Sequence, residues 1–174
     1  TPVVTMVRML FFLCMVLSMP CFAQLEGRAF LDSLEARLPE VKEDTNKIKL
    51  LSLISTGYHT IDPDAGIKYG QQQLELATAM NQRRGIAAAY NSIGVNYQYK
   101  SDYTKALEYF NKALAILVDY PNSNLYGNVI SHLAVLYQEM GDLEGARELL
   151  QEVIGEGPVD LVEQAKTILG RIGG

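Results

Sequence analysis

The chain has no tryptophan, two histidines and two cysteines among 174 residues, and each scarcity removes a class of chemistry. Both cysteines, Cys14 and Cys21, lie in an N-terminal segment that reads as removable. The remainder then has no disulfide, no thiolate nucleophile and no cysteine metal site. His59 and His132 stand in separate stretches without a cysteine partner, and a metal site needs more ligands converging on one point. The formal charge is -5 and the basic residues are scattered, so there is no positive stripe for a phosphate backbone and nucleic acid is not an expected partner. Phosphate loops of the Gly-Lys-Ser/Thr type, Gly-x-Ser-x-Gly elbows and His-Glu-x-x-His pairs are missing. The lone Gly-x-Gly, Gly155 and Gly157, meets Asp160 where a dinucleotide loop needs its third glycine. Acid pairs such as Glu35 with Glu40, or Asp62 with Asp64, fall at helix ends or turns and read as solvated groups or caps. No catalytic residue, cofactor or metal is assigned, and the chain reads as a non-enzyme.

One apolar run interrupts an otherwise mixed sequence. Arg8 precedes Leu10 to Leu17, Ser18-Met19-Pro20 breaks the run, and Cys21-Phe22-Ala23 ends in a small residue. This is the layout of a signal peptide over residues 1–23, with Met6 as the internal start candidate, Thr1 to Thr5 upstream of it, and Gln24 as the first mature residue. The run is shorter than the roughly 20 residues of a membrane span. An uncleaved anchor, lipidation at Cys21 and a buried core helix are the competing readings. Export, to the periplasm or outside the cell, is the expectation, with no membrane segment beyond the signal peptide.

What the sequence has is a pattern written twice. Tyr90-x2-Ile93-Gly94-x2-Tyr97, followed by Ala106-x3-Phe110-x2-Ala113, returns as Ile130-x2-Leu133-Ala134-x2-Tyr137, followed by Ala146-x3-Leu150-x2-Val153. Ser101-Asp102-Tyr103 divides the first copy and Gly141-Asp142-Leu143 the second. A weaker copy precedes them, with Leu51-x2-Ile54-Ser55-x2-Tyr58, a turn at Asp62-Pro63-Asp64 that is shorter by one residue, and Gly66 where the later copies have alanine. Repetition at this period marks stacked two-helix units that bury their apolar faces against one another. The small positions Ser55, Gly94 and Ala134 are expected to let helix B of the same unit approach closely, with Ala106 and Ala146 reciprocal. Tyr58, Tyr97 and Tyr137 are expected to fill the wedge between successive hairpins.

These residues resemble tetratricopeptide repeats. The resemblance covers residues 47–171, with units at about 47–82, 86–120 and 126–156 and a cap or partial repeat at 159–171. Residues 24–46 form an N-terminal helix, Leu25 to Leu38, and a connector. The implied fold is all-α, a right-handed superhelical solenoid of antiparallel helix pairs with about three repeats and a C-terminal capping helix. The implied function is non-catalytic binding of a protein or peptide in the concave groove lined by the first helix of each unit.

Helical periodicity puts Lys49, Ser52, Thr56, His59 and Thr60 on that face in the first unit. The second contributes Ala88, Asn91, Val95, Gln98 and Tyr99; the third adds Asn128, Ser131, His132, Val135, Gln138 and Glu139. The row is polar and nearly uncharged, and its amides are of a kind that bonds an extended peptide backbone. Some members of the family clamp a terminal carboxylate with Lys, Asn and Arg. The matching places here hold Ser52, Thr56, Ser92, Asn128 and His132, so no chaperone-tail receptor is inferred. A second resemblance is to the periplasmic sensor regions of Bacteroidetes-type signalling proteins. There a signal peptide, a leucine-spaced helix and a Leu-Pro-x4-Asp-Thr connector (Leu38-Pro39, Asp44-Thr45) precede the repeats, and kinase, cyclase or DNA-binding outputs follow. A chain starting without Met and ending in an unfinished repeat fits a fragment of such a protein.

Overall fold

The computed structural model describes residues 27–156 and 159–172. The signal-peptide and cleavage readings, both cysteines, Leu25 and the Gly157-Pro158 step lie outside the described residues. Among those described there are helices and turns and no strand. A first helix, α1, spans 27–37. It is followed by α2 (Thr45–Gly57), α3 (Pro63–Ala79), α4 (Arg83–Tyr99), α5 (Tyr103–Leu117), α6 (Asn124–Glu139), α7 (Leu143–Glu156) and α8 (Val159–Ile172). From α2 onward every helix packs on the next across a short turn, so neighbours run antiparallel.

The punctuation repeats with the helices. Asp62, Asp102 and Asp142 each accept a backbone N–H at the start of a second helix, from Ala65 (3.1 Å), Lys105 (3.3 Å) and Gly145 (2.9 Å). An aspartate there satisfies a donor that the first turn leaves unbonded and complements the positive end of the helix. At the other end, α3, α4 and α6 finish in the left-handed conformation at Asn81 (φ 53°), Ser101 (φ 59°) and Gly141 (φ 75°). In each case the next N–H returns to the helix, Gln82 to Ala77 O, Asp102 to Tyr97 O and Asp142 to Tyr137 O, at 2.8–3.0 Å. These paired returns close the last turn and reverse the chain.

First helices touch one another, α2 with α4, α4 with α6 and α6 with α8, whereas among the described residues α3 does not reach α5 and α5 does not reach α7. Two rows of helices, one closely spaced and one splayed, make a stack that curves with the close row inside. The inner face is therefore built from α2, α4, α6 and α8.

The repeat positions supply the core. Ile54, Ser55, Ile93, Ala106, Phe110, Ala113, Ile130, Leu133, Ala134, Ala146, Leu150 and Val153 are buried. Tyr58 and Gly94 are also buried, and Tyr90, Tyr97 and Tyr137 are half-buried. The close crossing expected at Gly94 is present: a Cβ there would lie 2.7 Å from Phe110 Cε1. The tyrosines differ from the expectation. Tyr97 stacks on Tyr109 at 5.5 Å and Tyr58 on Tyr69 at 5.8 Å, and Tyr137 lies against Gly145. Each packs on the second helix of its own unit, because a ring at the end of a first helix meets the start of the second before it reaches the next hairpin.

The leucine-spaced helix expected before the repeats, α1, forms a lid on the first unit. Leu31 and Leu34 of α1 are buried against Leu50, Ile54 and Tyr58, and the Tyr58 hydroxyl donates to Glu35. Burial first, and the Glu35 carboxylate second, push the Tyr58 hydroxyl up to about 12. Glu35, read from sequence as solvated or a cap, is instead the polar partner that lets a buried tyrosine close this end of the stack.

Candidate functional site

On the inner face one concavity of about 520 Å³ is lined by ten residues from three consecutive units. The end of α2 provides Thr56 and the turn after it His59. From α4 come Val95, Gln98 and Tyr99, with Ser101 and Tyr103 from the α4–α5 corner, and α6 gives His132, Val135 and Glu139. Eight of these are residues that periodicity placed on the groove. Ser101 and Tyr103 are not; they belong to the turn that carries the chain away from α4, where a helix-face argument has no reach.

The remaining candidates fall elsewhere. Lys49, Thr60, Asn128 and Gln138 are exposed outside this cavity, and Ser52 and Ala88 are half-buried. Ser131 lines a second hollow of about 330 Å³ with Glu163, Thr167 and Ile168 of α8. Asn91 is a correction: it is buried rather than available to a peptide backbone, and its Oδ1 accepts from His132 Nδ1 at 2.9 Å. Gln98 likewise donates to Glu139 at 2.8 Å, and the Ser52 and Ser92 hydroxyls meet at 3.3 Å. The polar row thus ties each first helix to the next. A residue facing inward on one helix comes level with its counterpart one repeat later, so amides and hydroxyls find each other before they find a ligand.

His59 and Tyr99 meet edge to face at 4.3 Å, and His132 stacks on Phe110 at 5.4 Å. With Nδ1 donating to a carbonyl oxygen, the neutral His132 ring keeps its lone pair on Nε2. Burial holds the His132 pKa below the usual histidine value, and the charge of His59 lowers it further. An unfolded imidazole then takes a proton more readily than the folded one. The associated stability is complete above about pH 6.5 and is lost progressively as pH falls below it. The melting temperature at about pH 5.5 is expected to lie below that at about pH 7.5, with a smaller difference in His132→Gln. The lowered pKa of Asp102, set first by its bond to Lys105, acts below about pH 4 and leaves this window clear. Equal pH dependence in native chain and variant would mean that His132 is not the group responsible.

Among the described residues no three His, Cys, Asp or Glu side chains gather to hold a metal ion, and no helix is long and apolar enough to cross a membrane. A family model described as Tetratricopeptide repeat matches residues 58–117 and 85–155. Among solved structures, the chain is similar to BtubC (BKLC) from P. vanneervenii at 18% identity and a TM-score of 0.63, over 89% of this chain and 67% of that one. It is also similar to a kinesin light chain protein of P. anserina with nearly identical tetratricopeptide-like repeats, at 15% identity and a TM-score of 0.66, over 86% of this chain and 79% of that one. At these identities the likeness is one of fold. No curated protein matches the chain.

Proposed function

Because this chain belongs to the tetratricopeptide repeat family, whose members are typically non-catalytic scaffolds that bind proteins or peptides, we propose that it is an exported binding module that holds a protein or peptide segment in its inner groove. The observation that carries the proposal is the concavity itself. Side chains from three units meet around about 520 Å³, within the size range of pockets that enclose a ligand group. Two large apolar side chains of its lining, Tyr99 (53% exposed) and Val135 (41% exposed), remain open to solvent. Export rests on the signal-like N-terminal segment; secretion of a reporter fused after Gln24 tests it, and retention in the cytoplasm would count against it.

Binding is tested with a random peptide array probed by the full chain. Tyr99→Ser with Val135→Ser should lose most of the signal, roughly tenfold for two exposed apolar contacts, while the circular dichroism stays native. Unchanged recovery would remove this face from consideration. A second reading, the sensory region of a larger signalling protein, is favoured by the order of signal-like segment, docked leucine helix, Asp44-capped connector and repeats. A coding sequence continuing past Gly174 into more repeats and an apolar stretch of about 20 residues would support it.

A further inference from the structure

The lining of the concavity has a definite charge. Among the described residues Glu139 is its one carboxylate, and no lysine or arginine lines it. The cations next along the chain, Lys100 and Lys105, are paired with Asp64 and Asp102. One Glu139 oxygen accepts from Gln98; the other has no partner among the described residues. Four rings, His59, Tyr99, Tyr103 and His132, line the same concavity as this carboxylate, with Tyr99 presented to solvent. A carboxylate sharing a concavity with the exposed Tyr99 ring suits a guanidinium, which is weakly hydrated, stacks on aromatic planes and forks onto carboxylate oxygens.

We infer that this concavity is an arginine subsite of the groove, and that protonation of His59 and His132 closes it to that side chain. The inference rests on the peptide-binding reading above. The titratable groups facing the bound cation would be His59 after α2, Tyr99 of α4, Tyr103 of α5, and His132 and Glu139 of α6. Near neutral pH their sum is one negative charge, carried by Glu139. Two imidazolium charges would outweigh the single carboxylate and reverse that sign. Burial first, and the charge of His59 second, delay the charging of His132 to lower pH than an exposed histidine would show.

The test pairs every arginine peptide on the random array with a twin in which citrulline, the neutral isostere, replaces arginine. The full chain at about pH 7.5 should bind the arginine member at least about fivefold more strongly. Glu139→Gln, a change at an exposed carboxylate, should bring the two members level. Lowering the pH to about 5.5 should weaken arginine peptides about tenfold and citrulline twins little, and His59→Gln should blunt that loss. Circular dichroism at both pH values establishes that the chain is folded throughout. Equal binding of the twins, or an arginine preference that survives Glu139→Gln, would overturn the subsite while leaving the groove reading in place. Failure of every peptide to bind would remove both.

Discussion

Replacing Gly94 by leucine is expected to destabilise the chain by about 3 kcal/mol, lowering the melting temperature by roughly 6–12 °C for a chain of this length. The reason lies in one crossing. A Cβ at position 94 would sit 2.7 Å from Phe110 Cε1, 2.8 Å from Cδ1 and 3.2 Å from Cζ. The ring cannot retreat, because Phe110 is fully buried and has His132 stacked against it at 5.4 Å. Leucine would bring three further carbons into space that α4 and α5 do not leave. The equivalent crossing in the third unit pairs Ala134 with Leu150, both fully buried, a larger residue on the first helix facing a smaller one on the second. Gly94→Ala combined with Phe110→Leu copies that pair into the second unit. It should recover most of the loss caused by Gly94→Ala alone, giving a coupling of about 1–3 kcal/mol in a double-mutant cycle. A Gly94→Leu chain that melts with the native one would show that α4 and α5 do not cross at this residue.

That crossing could be read in the sequence because its two members recur together at a fixed period, large where the partner is small. The turns at Asp62, Asp102 and Asp142 were legible for the same reason, and the structure adds that each aspartate caps the helix that follows. The groove was legible only as a face. Helical arithmetic puts Asn91, Gln98 and His132 on the inner side, but which residue of the adjacent first helix each will meet depends on how far one hairpin slides along the next. The structure sets that offset at about one repeat, as in His132 to Asn91 and Gln98 to Glu139, and so converts two presumed peptide contacts into ties between units. Ser101 and Tyr103 escaped because they line the cavity from a corner. The pairing of Glu35 with Tyr58 escaped because α1 lies outside the repeat: the spacing of Leu31 and Leu34 announces a helix with a buried face but not which residues of the first unit it meets. Gly66, a mismatch to the repeat pattern, has its cause in another unit.

Gly66→Ala is the second change with a large expected effect, and its sign runs against helix propensity. Alanine in a helix interior is favoured over glycine by about 1 kcal/mol, yet the substitution is expected to destabilise by about 2 kcal/mol. A Cβ at position 66 would collide with the Asn96 carboxamide. That amide is fully buried, and its nitrogen donates to Ser92 O at 2.8 Å and to Ser55 O at 3.0 Å, joining α4 to α2. Its oxygen has no conventional donor among the described residues and rests against Gly66, where a bare Cα–H is small enough to approach it. Turning the amide over would set that oxygen against two carbonyls, so the seam has a single arrangement. Displacing it leaves buried polar atoms unmatched, at about 1–3 kcal/mol each. One repeat later the same two places are held by Ala106 and Leu136, both fully buried. Gly66→Ala with Asn96→Leu should therefore return to within about 1 kcal/mol of the native chain. Stabilisation by Gly66→Ala alone would mean that propensity governs and the amide does not pack as described. The consequence reaches the cavity, because α2 and α4, which the seam holds together, carry His59 and Tyr99 at their ends, in contact at 4.3 Å. A chain with Gly66→Ala should lose peptide affinity without any change in the residues that line the concavity, and Asn96→Leu should restore binding together with stability.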